Sequence, residues 1–424
     1  MRRRLSPLII LFAAVISNCS DRERLNPLDP SNPETGGKPS EVTLSSSRKF
    51  ISISWDHIQN SSITGYNVRR STGDWKDTFL ITNLSSEDTH VTDTIPHYDS
   101  TYSYTVTAVT ETWESAQSDP ATIIPGPFNY WVADFYDGTL SRVSYDGAHV
   151  LFREFTYSPI AIDIDVPRES LWVASLYPSR IVRMTTDGEA RFSEILLSRP
   201  VDLAVDAQSG EVFIAMVGLS ELTHLAPDGM VLDNIPCELG ISFDTRLAVD
   251  PVGKTVWIAV ADSQMVLRVD LESPGRVARF PVAPFPRTLS VLPGRGIVWV
   301  ATDSGVVAIH EDGTRNTYLP DYIIHDLSVN MDAERIWLVV SDRFERQWSV
   351  QFIEQEEGDW EVRKLDLGTA GVFSRIRSNP GLEYPGVLVY DASGRRIVRL
   401  NSQGEVLGTL RGFSSHLDIA VEHD

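Results

Sequence analysis

Residues 297–313 read IVWVATDSGVVAIHEDG, and residues 171–188 read LWVASLYPSRIVRMTTDG. Each sets a Trp in an apolar run, follows it with a short alternating segment and closes on an acidic residue and Gly. Laid against itself, the chain writes this unit again as YWVADF, VFIAMV, VWIAVA, IWLVVS and VLVYDA. The marker residues are Trp131, Trp172, Phe213, Trp257, Trp299, Trp337 and Leu388, at intervals of 41, 41, 44, 42, 38 and 51. A period near 42 is the length of a four-stranded unit. Period-two alternation and β-branched residues, without a 3.6-residue stripe, make the units β rather than helical.

Each unit has one grammar. The aromatic run is one strand, and the next follows in SRIVRM, MVLRVD, GVVAIH and RRIVRL. Tight turns come at Asp146-Gly147, Asp187-Gly188, Asp228-Gly229, Pro274-Gly275, Asp312-Gly313 and Gln403-Gly404, where Gly accepts the positive φ of a hairpin. An inner strand then precedes the next aromatic run: IAIDIDV, VDLAVD, RLAVD, RTLSVL, HDLSVN and FSRIRSN. The first run, at Tyr130, lacks such a strand, whereas His416–Glu422 is one with nothing after it. Joining the two closes a ring and hides two sheet edges. The expectation is a seven-bladed β-propeller over 128–424, closed by the C-terminal strand. Six blades is the alternative, because the sixth unit is long and poorly matched. The region resembles the NHL and YncE-like propellers, which share the inner-strand, aromatic-run and DG-turn pattern. The repeated Trp reads as packing between blades, with an aromatic ligand cage as the competing idea.

Upstream, FISISW at 50–55 and YSYTVTAV at 102–109 alternate as half-buried strands do. Short strands between turn-rich segments point to a two-sheet sandwich over 38–124. Pro39, Trp55, Gly65-Tyr66, Ile95-Pro96 and Tyr102-x-Tyr104-x-Val106-x-Ala108 resemble a fibronectin type III domain. Such a module implies a spacer or an adhesion domain. Residues 20–37, rich in Pro, Asn, Asp and Gly, read as a flexible tether.

The first nineteen residues carry Arg2, Arg3 and Arg4 and then an apolar stretch too short to span a bilayer, which fits a secretory signal. Ile16-Ser17-Asn18-Cys19 resembles the bacterial lipobox, with Asn18 departing from its usual small residue. That resemblance implies lipidation at Cys19, export and a cell-envelope location, with a plain secretory signal as the alternative; Ser20 after the Cys resembles the enteric sorting rule for the outer membrane. With Cys19 lipidated, Cys237 is the only remaining thiol, so no intrachain disulfide forms. A net charge of −21 argues against nucleic acid as a partner.

Propellers bind where the inner strands converge. At matching places on those strands stand Ala161, Asp202, Arg246, Thr288, Asp326, Arg375 and Asp418, a mixed polar ring around the opening. Asp202, Asp326 and Asp418 could hold Ca²⁺ or another divalent ion, or could simply pair with arginines across water. His325 beside Asp326 is the candidate for acid–base work. No HExxH, GxSxG or CxxC occurs, and no cofactor or catalytic residue is assigned. Two functions follow as expectations. One is a monomeric, membrane-tethered binding or scaffold lipoprotein offering its propeller to a protein, glycan or peptide. The other is a periplasmic hydrolase or lyase resembling the lactonases or streptogramin lyases, with a divalent ion in the channel.

Overall fold

The computed structural model describes residues 28–422 apart from 33–36, 48–49, 73–77, 95–96, 99, 187, 274, 331–334, 357–358, 366–370, 379–385, 402 and 415. Cys19, the leader and the Ile95-Pro96 turn lie outside the described residues. No helix among them is long and apolar enough to cross a membrane. The chain divides into two compact units, Met1–Pro127 and Phe128–Asp424.

The first unit contains two antiparallel sheets. One joins Thr43–Ser47, Phe50–Ser54 and His90–Thr94; the other joins Thr78–Ser85, Ile63–Thr72, Tyr102–Thr110 and Ala121–Ile123. Alternation along Phe50–Ser54 sends Ile51 and Ile53 inward, where they meet Trp55, Tyr66, Val68, Tyr104 and Val106 in one core. The phenol of Tyr104 is buried there and donates to Asp93 Oδ2 at 2.9 Å, which answers the hydrogen-bonding need that burial creates. The tether expected over 20–37 needs correction on its described part. Leu28 is only 3% exposed and packs into this core, and the backbone of 28–30 lies tightly against Gly37. Burial of Leu28 contributes to holding that described part in place.

In the second unit the described residues form seven four-stranded antiparallel sheets, which we number 1 to 7 along the chain. Sheets 2 to 7 are continuous meanders, each running from an inner to an outer strand. Sheet 1 is completed from the far end of the chain, with Leu417–Glu422 paired to Asn129–Asp134 from Leu417 opposite Asp134 to Glu422 opposite Asn129. The remaining inner strands are Pro159–Asp165, Pro200–Val205, Arg246–Asp250, Thr288–Leu292, Tyr322–Asn330 and Phe373–Ser378. Each neighbours the next, and Phe373–Ser378 neighbours Leu417–Glu422, so the seven make a closed ring.

Burial grades outward across each sheet. Second strands such as Thr255–Val260 are buried along their whole length, which is why they read as unbroken apolar runs rather than alternations. The outer strand Ala190–Ile195 is almost entirely exposed. The marker aromatics sit between sheets: Trp131 packs with Ile162 and Leu171 of sheet 2, Trp172 with Leu203 and Ile214 of sheet 3, and Trp299 with Leu327 and Ile336 of sheet 6. Sheet 7 has Leu388 at this place. Opposite it the guanidinium of Arg399, with no exposed surface, lies 4.9 Å from the ring of Tyr145 in sheet 1 and donates through Nε to the Tyr145 carbonyl at 3.2 Å. A cation on an aromatic face thus fills the junction that lacks a Trp.

Candidate functional site

The strand registers define the ring. Ala161, Asp202, Arg246, Thr288, Asp326, Arg375 and Asp418 each pair with the residue two places after their sheet's marker: Ala174, Ala215, Ala259, Ala301, Val339, Tyr390 and Ala133. They are therefore equivalent positions at one level of the channel. Two residues further along, opposite the markers themselves, lies a second level of Asp163, Ala204, Ala248, Ser290, Ser328, Arg377 and Ala420. In four inner strands the register shifts just before the first-level residue, at Ile160, Val201, His325 and Ser374. Such bulges re-aim the side chain that follows them.

Most of these side chains hold sheet to sheet. The channel-facing edge of an inner strand has no strand beside it, so its N–H and C=O groups need other partners. Asp418 Oδ2 accepts from Ile162 N at 2.9 Å, Asp163 Oδ2 from Val205 N at 2.8 Å, Asp202 Oδ2 from Leu247 N at 2.7 Å and Asp326 Oδ2 from Ile376 N at 2.9 Å. Ser328 Oγ accepts from Ser378 N at 2.9 Å. Between sheets 7 and 1 the chemistry reverses: Arg375 Nε donates to the Leu417 carbonyl at 2.9 Å and Arg377 Nε to that of Ile419 at 2.8 Å. Arg377 also joins Asp326 (Nη1–Oδ2 2.9 Å) and Asp418 (Nη2–Oδ1 3.0 Å).

Of the two readings of the acidic ring, pairing with arginine describes Asp326 and Asp418: the Arg377 guanidinium lies between them, and Asp202, Asp326 and Asp418 all accept backbone N–H groups. Among the described residues no group of three His, Cys, Asp or Glu side chains is arranged to hold a metal ion. His325 differs from expectation. It lines the cavity with Asp326, but its ring stacks on Trp348 at 4.1 Å and its Nε2 lies 2.8 Å from Ser341 Oγ. Burial, with the nearby Arg287 charge, lowers its pKa to about 4, so the ring is neutral at ordinary pH. Ser341 is fully buried and is no accessible nucleophile.

The electrostatics follow from crowding charges in a narrow space. Burial pushes Asp202 up to about 7 against the pull of Arg246, and Asp163 up to about 6 against the backbone N–H groups it accepts. Arg375 is lowered by burial, whereas Asp326 and Asp418 together outweigh burial for Arg377 and raise it. Asp163 and Arg377 were missed in the sequence because Ala and Ser occupy the other second-level positions, so no pattern marks that level.

The ring encloses a cavity of about 480 Å³ lined by all seven inner strands, with Asp244, Phe285 and Arg287 at the end where those strands begin, which we call the mouth, and Ala207, Pro251 and Pro293 at the other. The loops of this mouth face run from second to third strands and from outer to inner ones. Among the described residues of the second unit, six aromatic side chains are 37–76% exposed: Tyr136, Tyr157, Tyr177, Phe243, Tyr322 and Phe344. All six lie on the mouth face, five in its loops and Tyr322 at the start of its inner strand. Arg180 covers the Tyr157 ring at 5.6 Å and Arg346 the Phe344 ring at 5.4 Å. The opposite end exposes aliphatic residues such as Met230 and Val252.

No protein-family model and no curated protein sequence matches the chain. Solved structures do. A functionally unknown protein from Desulfotomaculum acetoxidans is 14% identical with a TM-score of 0.58, the match covering 70% of this chain and 100% of that one. The β-propeller domain of Myceliophteria thermophila Cps50 is 10% identical with a TM-score of 0.48, over 62% and 93%. A protein of unknown function from Bacteroides caccae is 10% identical with a TM-score of 0.46, over 70% and 99%. At such identities the likeness concerns the fold alone. The closed ring of four-stranded sheets makes the chain an all-β protein carrying a β-propeller.

Proposed function

We propose that this is an exported, lipid-anchored binding protein whose seven-bladed propeller docks a protein, glycan or peptide on its mouth face, without catalysis of its own. Cys19 is the anchor, and the fibronectin type III-like sandwich lies between anchor and propeller in the sequence. One observation carries the reading: every exposed aromatic residue described in the propeller is on the mouth face, where the inner strands begin. Exposing such side chains to water costs free energy, and Tyr with Arg is the composition of binding surfaces rather than of ordinary solvated loops. The hydrolase or lyase reading draws no support from His325, whose ring is committed to Trp348 and Ser341.

Capture from the native cell envelope tests it. Replacing Tyr136, Tyr157, Phe243 and Phe344 with Ser should reduce partner recovery at least about tenfold, since such anchors are worth about 1–2 kcal/mol each or more. Replacing Met230 and Val252 with Ser should leave recovery unchanged. The opposite pattern would refute the assignment of the face.

A further inference from the structure

We infer that the channel mouth is a subsite for a sugar acid, a hydroxylated ring bearing one carboxylate, which Arg246 and Arg375 hold between them. The inference deepens the docking reading above and rests on it for the choice of face.

The two arginines occupy the same level of the ring, in sheets 4 and 7, and both line the cavity. Their hydrogen bonds use only part of each guanidinium. Arg246 donates through Nη1 to the carbonyls of Phe243 and Thr245, and Arg375 through Nε and Nη1 to those of Leu417 and Ser374. Neither has a carboxylate within ion-pair distance among the described residues, in contrast to Arg377 one level deeper, which is saturated by Asp326 and Asp418. Both depress the protonation of His416, after burial, so their positive fields overlap at the mouth. A planar carboxylate matches the fork that each guanidinium leaves open.

The charge of the ligand follows from the surroundings. Asp163, Asp202, Asp326 and Asp418 all face this channel. A dianion such as phosphate would be repelled by that set, whereas a single negative charge can be met by the two unpaired arginines. The remaining lining suits hydroxyl groups, since Thr288 and Ser290 offer donor–acceptor hydroxyls. At the rim Phe285, with Arg287 5.8 Å from its ring, presents an apolar plane to the C–H face of a sugar. A volume of about 480 Å³ is in the range of small-ligand sites.

Calorimetric titration of the purified protein with glucuronate and galacturonate tests this, with glucose, acetate and inorganic phosphate as comparisons. One of the two uronates should bind saturably at one site, glucose should give no saturable heat, and acetate and phosphate should bind at least about tenfold more weakly. Arg246→Ala should weaken the uronate at least about tenfold at unchanged melting temperature. Arg375→Ala should do the same. Because Arg375 also holds the Leu417 carbonyl, Arg246→Ala alone decides if the second variant fails to fold. No saturable binding of either uronate, equal binding of acetate or phosphate, or unchanged binding by Arg246→Ala would overturn the subsite. Such a result alongside the expected loss of envelope capture in the aromatic variants would remove this subsite and leave the docking face standing.

Discussion

Asp326 shows what a single ring carboxylate does. It is 2% exposed, accepts the Ile376 N–H and faces Arg377. Asp326→Ala leaves a buried donor and half of an ion triad unmet, so it should destabilise by about 2–4 kcal/mol in urea denaturation. Asp202 behaves differently with pH. Burial holds its pKa near 7 in the fold, against 3.8 for an ordinary carboxylate, so the folded chain keeps a proton that the unfolded chain releases across that window. Stability from this residue is therefore complete below the lower value and falls as pH rises toward the upper one. Asp202→Asn keeps an oxygen for the Leu247 N–H and removes the titration. The variant should be more stable than wild type by about 1–3 kcal/mol above pH 7, and not at pH 4, when unfolding is followed at both. Locating the first level from sequence needed only counting along strands, and the registers put Asp202, Arg246, Thr288, Asp326, Arg375 and Asp418 at equivalent positions. What the side chains do was not legible, because clasping a neighbouring N–H depends on a strand 40 or more residues away. The bulge at His325 leaves no mark in HDLSVN either.

At the scale of elements, the C-terminal strand is the test of closure. Its pairing with Asn129–Asp134 is reinforced by Arg142, which meets Glu422 through Nε–Oε2 at 2.8 Å and Nη2–Oε1 at 2.5 Å, and by Asp134, which accepts from Ser414 N at 2.6 Å. Deleting 417–422 exposes an unpaired edge of a buried strand and removes Asp418 from the ring. The truncated chain should lose its cooperative thermal transition and associate through that edge, as seen by calorimetry and light scattering. A monomer melting as the full chain does would show that the strand is dispensable. This pairing was readable because both halves are incomplete units: an aromatic run without an inner strand and an inner strand without an aromatic run. The substitute for the missing seventh aromatic was not readable, since Arg399 sits in RRIVRL as an ordinary alternating polar residue. Only the ring brings Tyr145 under it.

For the whole molecule, the repeat carries the architecture and says nothing of the surface. The period follows from packing requirements common to every sheet, so it survives in the sequence as a pattern. The exposed aromatics arise in loops of unequal length, at Tyr136, Tyr157, Tyr177, Phe243 and Phe344, and become a shared face only when the ring is closed. The central claim is that this face meets the partner. Photo-crosslinking in the native envelope tests it most directly, with a benzophenone amino acid placed singly at Tyr157 or Phe344 on the mouth face, or at Met230 or Val252 on the other end. The account predicts one common adduct from Tyr157 and Phe344 and none from Met230 or Val252; the same adduct from the far end alone would contradict it.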